Sequence, residues 1–206
     1  MPCPDFFHEQ HLLDRGLGPV AGLDEAGRGP LAGPVAAAAV ILDPENIPAG
    51  LDDSKKLSAS ARVALHDEIF ARALCVSIAL SPAAMIDTIN IRAASLDAMR
   101  RAAAGLSLRP GFALVDGRDV PPGLCCMARA LVRGDALCAS IAAASIIAKV
   151  TRDRLMQRLH SHAPAYGFGA HKGYGTAAHL AALAQYRRSP WHRTSFQLRG
   201  EKAGEG

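Results

Sequence analysis

Along the chain, short runs of apolar residues alternate with longer stretches of helical period. "VAGLD" (20–24) and "PVAAAAVIL" (34–42) have strand length and are separated by a glycine-rich connection, which predicts two neighbouring strands. A loop follows. From Ser58 to about Ala73, the spacing of Val63, Leu65, Ile69 and Phe70 predicts one apolar helix face, with Ser58 as N-cap. "LCVSIAL" (74–80) predicts a third strand, and 90–105 a helix closed by Gly105. "FALVD" (112–116) predicts a buried strand ending on Asp116, and "CCMARALV" (125–132) a strand before "RGD". The longest helix is expected over 136–160 and another over 176–187. Strands interleaved with helices after an opening hairpin predict an α/β domain on a mixed sheet.

Composition narrows this picture. Half of the 206 residues are hydrophobic and only 5% aromatic, so one alanine-rich, closely packed core is expected and the whole chain, 1–206, forms one domain. Five cysteines (Cys3, Cys75, Cys125, Cys126, Cys138) lack the paired spacing of a zinc site or a disulfide scaffold, which suits a reducing compartment. "MPCPDFFHEQ" does not read as a signal peptide and no stretch has the length of a membrane span, so a cytoplasmic protein without membrane contact is expected. The formal charge of +4 permits a polyanionic partner. After position 186, Arg187, Arg188, Arg193 and Arg199 precede any acid, which predicts a basic flap over the core and a frayed Gly/Glu tail.

The candidate chemistry lies in four acids. Asp24 and Glu25 end the first strand, Asp116 ends another, and Asp135 precedes the long helix. Singly, each has a plainer role as strand terminator, turn former or helix cap. Together at one rim of an α/β sheet they would repel one another without a cation between them. Hard divalent ions relieve that repulsion, and two of them can activate water and steady the leaving oxygen of a phosphodiester. Because successive strand side chains point to opposite faces, a bend or bulge is expected to bring Asp24 and Glu25 to one site. Gly27 and Gly29 would expose backbone to a ligand, and Arg28 between them would grip a phosphate.

"GLDEAGRGPLAGPVAAAAVIL", "DDSKKLS", "LVDG", "VRGD", "IAAASIIAKVTRDR" and "YGFGAHKGYGT" occur in an order that resembles the bacterial ribonuclease HII family, over about residues 20 to 196. The resemblance implies a ribonuclease H-like mixed five-stranded sheet flanked by helices, with a C-terminal helical, substrate-binding extension over about 160–200. It implies an endonuclease, acting as a monomer on RNA/DNA hybrids and on single ribonucleotides embedded in duplex DNA. Cleavage 5′ to the ribonucleotide would leave 3′-hydroxyl and 5′-phosphate ends. Asp24, Glu25, Asp116 and Asp135 fall on the family's catalytic carboxylates and would hold two Mg²⁺ or Mn²⁺ ions. Gly27, Arg28 and Gly29 fall on the segment that contacts the ribonucleotide's 2′-hydroxyl and phosphate, and Tyr174 on the tyrosine that stacks at the RNA-to-DNA junction. Lys55 and Lys56 are similar to the family's phosphate-side lysines.

Weaker expectations attach to the rest. Ser145, Lys149, Thr151 and Arg152 are expected to face the site or substrate, and His171 and Lys172 to line the groove, where Lys172 would meet phosphate. Arg187, Arg188, Lys149, Arg152 and Lys172 are expected to form a duplex-binding track. Asp153 is either a neighbour of the metal site or a partner in a helical ion pair. His66, His160 and His162 lack zinc spacing and are expected at the surface. Arg133 and the pair Arg118-Asp119 depart from the family's usual wording, where Lys and Asn are common. A different nuclease or strand-transfer enzyme, or a non-catalytic nucleic-acid-binding module, remains open; metal dependence separates the last from the others.

Overall fold

The computed structural model describes residues 3–197. Its sheet has five strands in the order β3-β2-β1-β4-β5: β1 (Val20–Ala26), β2 (Val35–Ile41), β3 (Cys75–Ser81), β4 (Phe112–Asp116) and β5 (Met127–Leu131). β1 to β3 are antiparallel neighbours, whereas β4 and β5 join parallel to β1. The parallel joins are bridged by α3 (Ala83–Ala104) and by the loop from Asp116 to Met127. α1 (Phe7–Leu13), α2 (Ala59–Arg72), α4 (Ala139–His162), α5 (Phe168–His171) and α6 (Ala177–Tyr186) complete the element order. Among the described residues no helix is long and apolar enough to cross a membrane.

Alternation along β2 explains the layers. Ala37, Ala39 and Ile41 face α3, where Met99, Ala102 and Ala103 pack on them, while Ala38 and Val40 face α4 and α2. Ala36 to Ala39 are fully buried, so helices approach the sheet closely on both sides. The closest approach is at Gly22, where a Cβ would stand 2.1 Å from the Ser140 carbonyl carbon. Ala142, Ala143 and Ala144 line the same contact, and buried Ile141, Ile146 and Ile147 contribute about 1.5–3 kcal/mol each.

Some local expectations were corrected. On α2, Leu65, His66 and Ile69 are buried while Val63 and Phe70 are 41% and 48% exposed, because positions 63 and 65 lie about 200° apart around a helix. His66 is therefore a packed residue, its ring tilted against Phe70 with centroids 4.9 Å apart and bonded to Asp67 at 2.7 Å. α3 begins seven residues before Asn90, which sits at a kink with φ of 66° and accepts from the Ala93 amide. α1 was not anticipated. The long helix starts at Ala139, after a 3₁₀ turn at Gly134–Ala136.

The C-terminal part carries the helices α5 and α6. After α6 an irregular strap, residues 187–197, returns to the loop between β1 and β2, pairing at Ala32 and His192. Arg193 is buried within it, and Arg188 donates to the Arg193, Thr194 and Phe196 carbonyls. This strap is thus fastened to the core through its arginines. Arg199 and the Gly/Glu tail lie outside the described residues.

Candidate active site

The end of β1 opens the site. β4 pairs with β1 only as far as Val115 opposite Leu23, so beyond that point β1 has no neighbour on one side. The expected bulge is absent: β1 keeps register with β2 through Asp24, Glu25 and Ala26. Asp24 therefore points to the α4 face and Glu25 toward α3, and both reach one cleft because the sheet stops beside them. Asp116 is the last residue of β4, and its Oδ1 accepts from the Gly134 amide at 2.7 Å, which draws the turn bearing Asp135 to the same rim.

The resulting cleft has a cavity of about 390 Å³ lined by Asp24, Glu25, Gly27, Arg28, Gly29, Lys55, Asp116, Ser145, Lys149 and Tyr174. A second hollow contains Asp116, Asp135, Asp53, Lys55, Arg118 and Arg133. Burial, then the Glu25 and Asp116 carboxylates, push the Asp24 carboxyl well above the usual aspartate range. Burial also raises Glu25, against the pull of Arg28, whose Nη1 lies 3.2 Å from Glu25 Oε1. Asp135 is raised by burial and by Asp116 and Asp53, with Lys55 opposing at 3.7 Å. These acids lack enough positive charge, and a divalent cation would supply it.

Hard oxygen donors with this unmet repulsion fit Mg²⁺ or Mn²⁺. Among the described residues no three His, Cys, Asp or Glu side chains already form a metal-holding group.

The other expected residues divide. Lys55 projects into the cleft, but Lys56 is turned away in a 2.8 Å ion pair with Asp52. Ser145 is buried beside Asp24, bonded to Ser54 at 2.9 Å. Lys149 pairs with Asp153 at 2.8 Å, so Asp153 acts within α4. Lys172 donates to the Gly169 carbonyl and lines a separate hollow with Asp153 and Gln157, not the acid cleft.

Arg152 belongs to the fold's interior and not to a surface track: it is 1% exposed and donates to the Pro34, Lys172 and Ala32 carbonyls at 2.9, 3.0 and 3.2 Å. Arg193 is its counterpart, donating to the carbonyls of Gly27, Arg28 and Gly33 at 2.6, 2.8 and 2.9 Å. Burial lowers both, Arg193 to about 9. Sequence reasoning missed this role for both arginines, and missed Asp53 beside Asp135. For Asp53 the only signal was its neighbourhood in "DDSKK".

Comparison with known proteins bears on the family and the fold. A sequence model described as ribonuclease HII matches residues 21–199. A ribonuclease HII from Rhizobium meliloti (strain 1021) is 59% identical over 196 residues, covering 95% of this chain and 90% of that protein. Among solved structures, the ribonuclease H2 from Pyrococcus horikoshii OT3 aligns with a TM-score of 0.73 at 29% identity, covering 86% of this chain and 93% of that one. Bst-RNase HIII in complex with Mn²⁺ shares the fold at a TM-score of 0.62 and 18% identity, over 82% of this chain and 70% of that one.

Proposed function

The chain belongs to the ribonuclease HII family and is a ribonuclease H, a hydrolase of a divalent-metal-dependent family; from that premise we propose that it cuts the phosphodiester 5′ to a ribonucleotide, both in RNA/DNA hybrids and at single ribonucleotides within duplex DNA. The observation that carries this reading is the junction of two features in one cleft: repelling buried acids, and the Gly27–Gly29 backbone facing Tyr174.

Asp24, Glu25, Asp116 and Asp135 would hold the ions. Two bound Mg²⁺ or Mn²⁺ ions would supply activation of the attacking water and neutralisation of charge on the departing 3′ oxygen. The protein's own groups do the rest. Ser145 and the Glu25 amide bias Asp24 toward the ionised form that can bind a cation. Arg28, half exposed beside Glu25, is placed to meet a substrate phosphate, and Lys55 does the same from the opposite wall.

Substrate choice follows from the 2′-hydroxyl, the group that distinguishes RNA from DNA. Backbone around Gly27 and Gly29 reads it without a base contact, so cleavage is nearly independent of sequence. The Tyr174 ring, 3.7 Å from where a Gly29 Cβ would stand, closes the sugar site from the other side. A second hydroxyl on the following sugar would crowd that ring, which favours the RNA-to-DNA step. Because water and not the 2′-hydroxyl attacks, the ends are a 3′-hydroxyl and a 5′-phosphate, with no cyclic phosphate.

The test is cleavage of duplex DNA carrying one ribonucleotide, with Mg²⁺, Mn²⁺ or chelator, beside an all-DNA duplex. One metal-dependent cut 5′ to the ribonucleotide, with 3′-hydroxyl and 5′-phosphate ends, is expected. A cyclic phosphate as the main product, or cutting that persists in chelator, would refute the mechanism.

A further inference from the structure

Tyr174 poses a positioning problem. Its side chain is 45% exposed, its hydroxyl makes no hydrogen bond among the described residues, and both of its predecessors adopt left-handed backbone, Lys172 with φ of 51° and Gly173 with φ of 84°. Packing therefore contributes little to aiming the ring, and the aim must come from the backbone that carries it. The Tyr174 carbonyl accepts from the Thr176 amide at 2.8 Å and from His179 Nδ1 at 2.9 Å.

From His179 the bonding continues inward. His179 Nε2 lies 3.0 Å from His192 Nε2, and His192 Nδ1 lies 2.9 Å from the Ser189 amide nitrogen and 2.7 Å from its hydroxyl. Elementary donor and acceptor rules allow one assignment. A carbonyl only accepts, so His179 carries its proton on Nδ1 and its Nε2 must accept. The proton between the rings then belongs to His192 Nε2, which leaves His192 Nδ1 to accept from the Ser189 amide, a group that only donates. Both rings are neutral, and both are buried, at 0% and 3% exposure. Every nitrogen in the chain is satisfied.

We propose that His179 and His192 are positioning residues for Tyr174, forming a neutral relay through which the C-terminal strap holds the carbonyl of the junction-reading residue. The inference rests on the role proposed above for Tyr174. It gains force from the next residue in the strap: Arg193 holds the carbonyls of Gly27 and Arg28, so two adjacent residues fix the two halves of the recognition surface relative to each other. The Gly33 amide donates to Trp191 and the Leu31 amide to Gly173, which ties the same three segments together. Protonation of His179 would set two N–H groups against each other at 3.0 Å, and protonation of His192 would set its Nδ1–H against the Ser189 amide at 2.9 Å. Burial lowers the pKa of both rings, and the cationic and titratable neighbours, His171 stacked 4.4 Å from His179 and Arg188 beside His192, further disfavour a charge.

The full chain is tested as H192A, H192Q, Y174A and the Y174A/H192A double variant. Each is assayed with Mg²⁺ on a duplex with one embedded ribonucleotide and on a continuous RNA strand paired with DNA. Y174A is expected to lower the ratio of kcat/KM between the two substrates by roughly tenfold. H192A should lower the same ratio in the same direction by about threefold or more, and H192Q, whose amide can still donate to His179, should recover most of it. The double variant should lose no more discrimination than Y174A alone. Equal loss on both substrates in H192A, or independent losses in the double variant, would overturn the relay and leave His192 a packing residue. An unchanged ratio in Y174A would instead remove the role of Tyr174, and the relay with it. Should H192A not fold, ring-nitrogen NMR of the unsubstituted protein at neutral pH decides: Nδ1–H on His179 and Nε2–H on His192 are expected, and the reverse tautomers or a charged ring would overturn the assignment.

Discussion

Substituting alanine at Gly27 or at Gly29 separates what the glycines do for the fold from what they do for substrate. Gly27 has φ of 99°, and a Cβ there would lie 2.0 Å from Arg152 Nε and 2.3 Å from its Cδ. The backbone conformation alone costs a non-glycine residue about 1–2 kcal/mol. Arg152 is not a free side-chain end that can swing aside, because its guanidinium holds three carbonyls in a buried site. Losing one or two of those charge-assisted bonds adds about 1.5–3 kcal/mol each, for a total of roughly 2.5–8 kcal/mol. In a chain of this size that corresponds to a melting temperature lower by roughly 5 °C at the least. Gly29 is the control: its φ is not in the left-handed region, and its Cβ would meet Tyr174 Cε1 at 3.7 Å, an ordinary contact. Gly29→Ala should therefore melt within about 2 °C of the parent while losing cleavage of a single embedded ribonucleotide, since the methyl group enters the proposed sugar site. Thermal denaturation by circular dichroism, paired with the gel assay, measures both. Equal melting temperatures for Gly27→Ala and the parent would refute the claim that Arg152 is locked under this loop.

Lys55→Ala should weaken cleavage roughly tenfold through a higher KM, while Lys56→Ala stays near the parent, because Lys55 faces the acids and Lys56 is occupied by Asp52; equal losses in steady-state assays would count against the placement. Asp24→Asn should abolish cleavage yet raise the melting temperature in chelator, since the ionised carboxylate is buried against Glu25 and Asp116 and the amide oxygen can still accept from the Glu25 amide; a lower melting temperature would contradict this. His192 has its pKa lowered to about 4, from an ordinary 6.5, so the unfolded chain takes up the proton first as pH falls. Its contribution is present above pH 6.5 and is lost toward pH 4, about 3 kcal/mol in all. The raised acids of the cleft act in the opposite sense, so the check is the difference between parent and H192Q in urea melts across that range. Parallel curves would refute the buried neutral ring.

Periodicity was informative where an element faces one environment. Strands β1 to β4 and the long helix α4 were legible from apolar runs bounded by turn residues, whereas "CCMARALV" was ambiguous in pattern and β5 was placed there by its position before "RGD". α2 misled because apolar residues lie on two of its sides, and apolar content does not reveal which side meets the core. α1 carries too few apolar positions in seven residues to show a period; Leu12 is buried, while Phe7 is 69% exposed. Its anchor is polar: Glu9 Oε1 accepts from the amide and hydroxyl of Ser140, at the first turn of α4. Such a long-range contact leaves no local pattern.

The four acids were legible for a different reason. Each ends a strand or follows one closely, and strand ends of an α/β sheet converge on one rim. The support of the site was not legible, because an arginine that will be buried under backbone carbonyls has the same letter as one that will meet a phosphate. Arg152 and Arg193 were expected on a substrate track or flap, and both instead donate to the carbonyls of Gly27, Arg28, Ala32, Gly33, Pro34 and Lys172. The physical demand that places them there can be stated. A glycine-rich loop has few side chains with which to anchor itself, and several of its carbonyls turn toward buried or half-buried positions where they need donors. A planar guanidinium, with five donors, satisfies several such carbonyls at once. The flexibility suggested by "GRGPLAG" is therefore cancelled by two cations from distant parts of the chain. The loop that is proposed to read the 2′-hydroxyl is thus fastened by side chains from α4 and from the C-terminal strap.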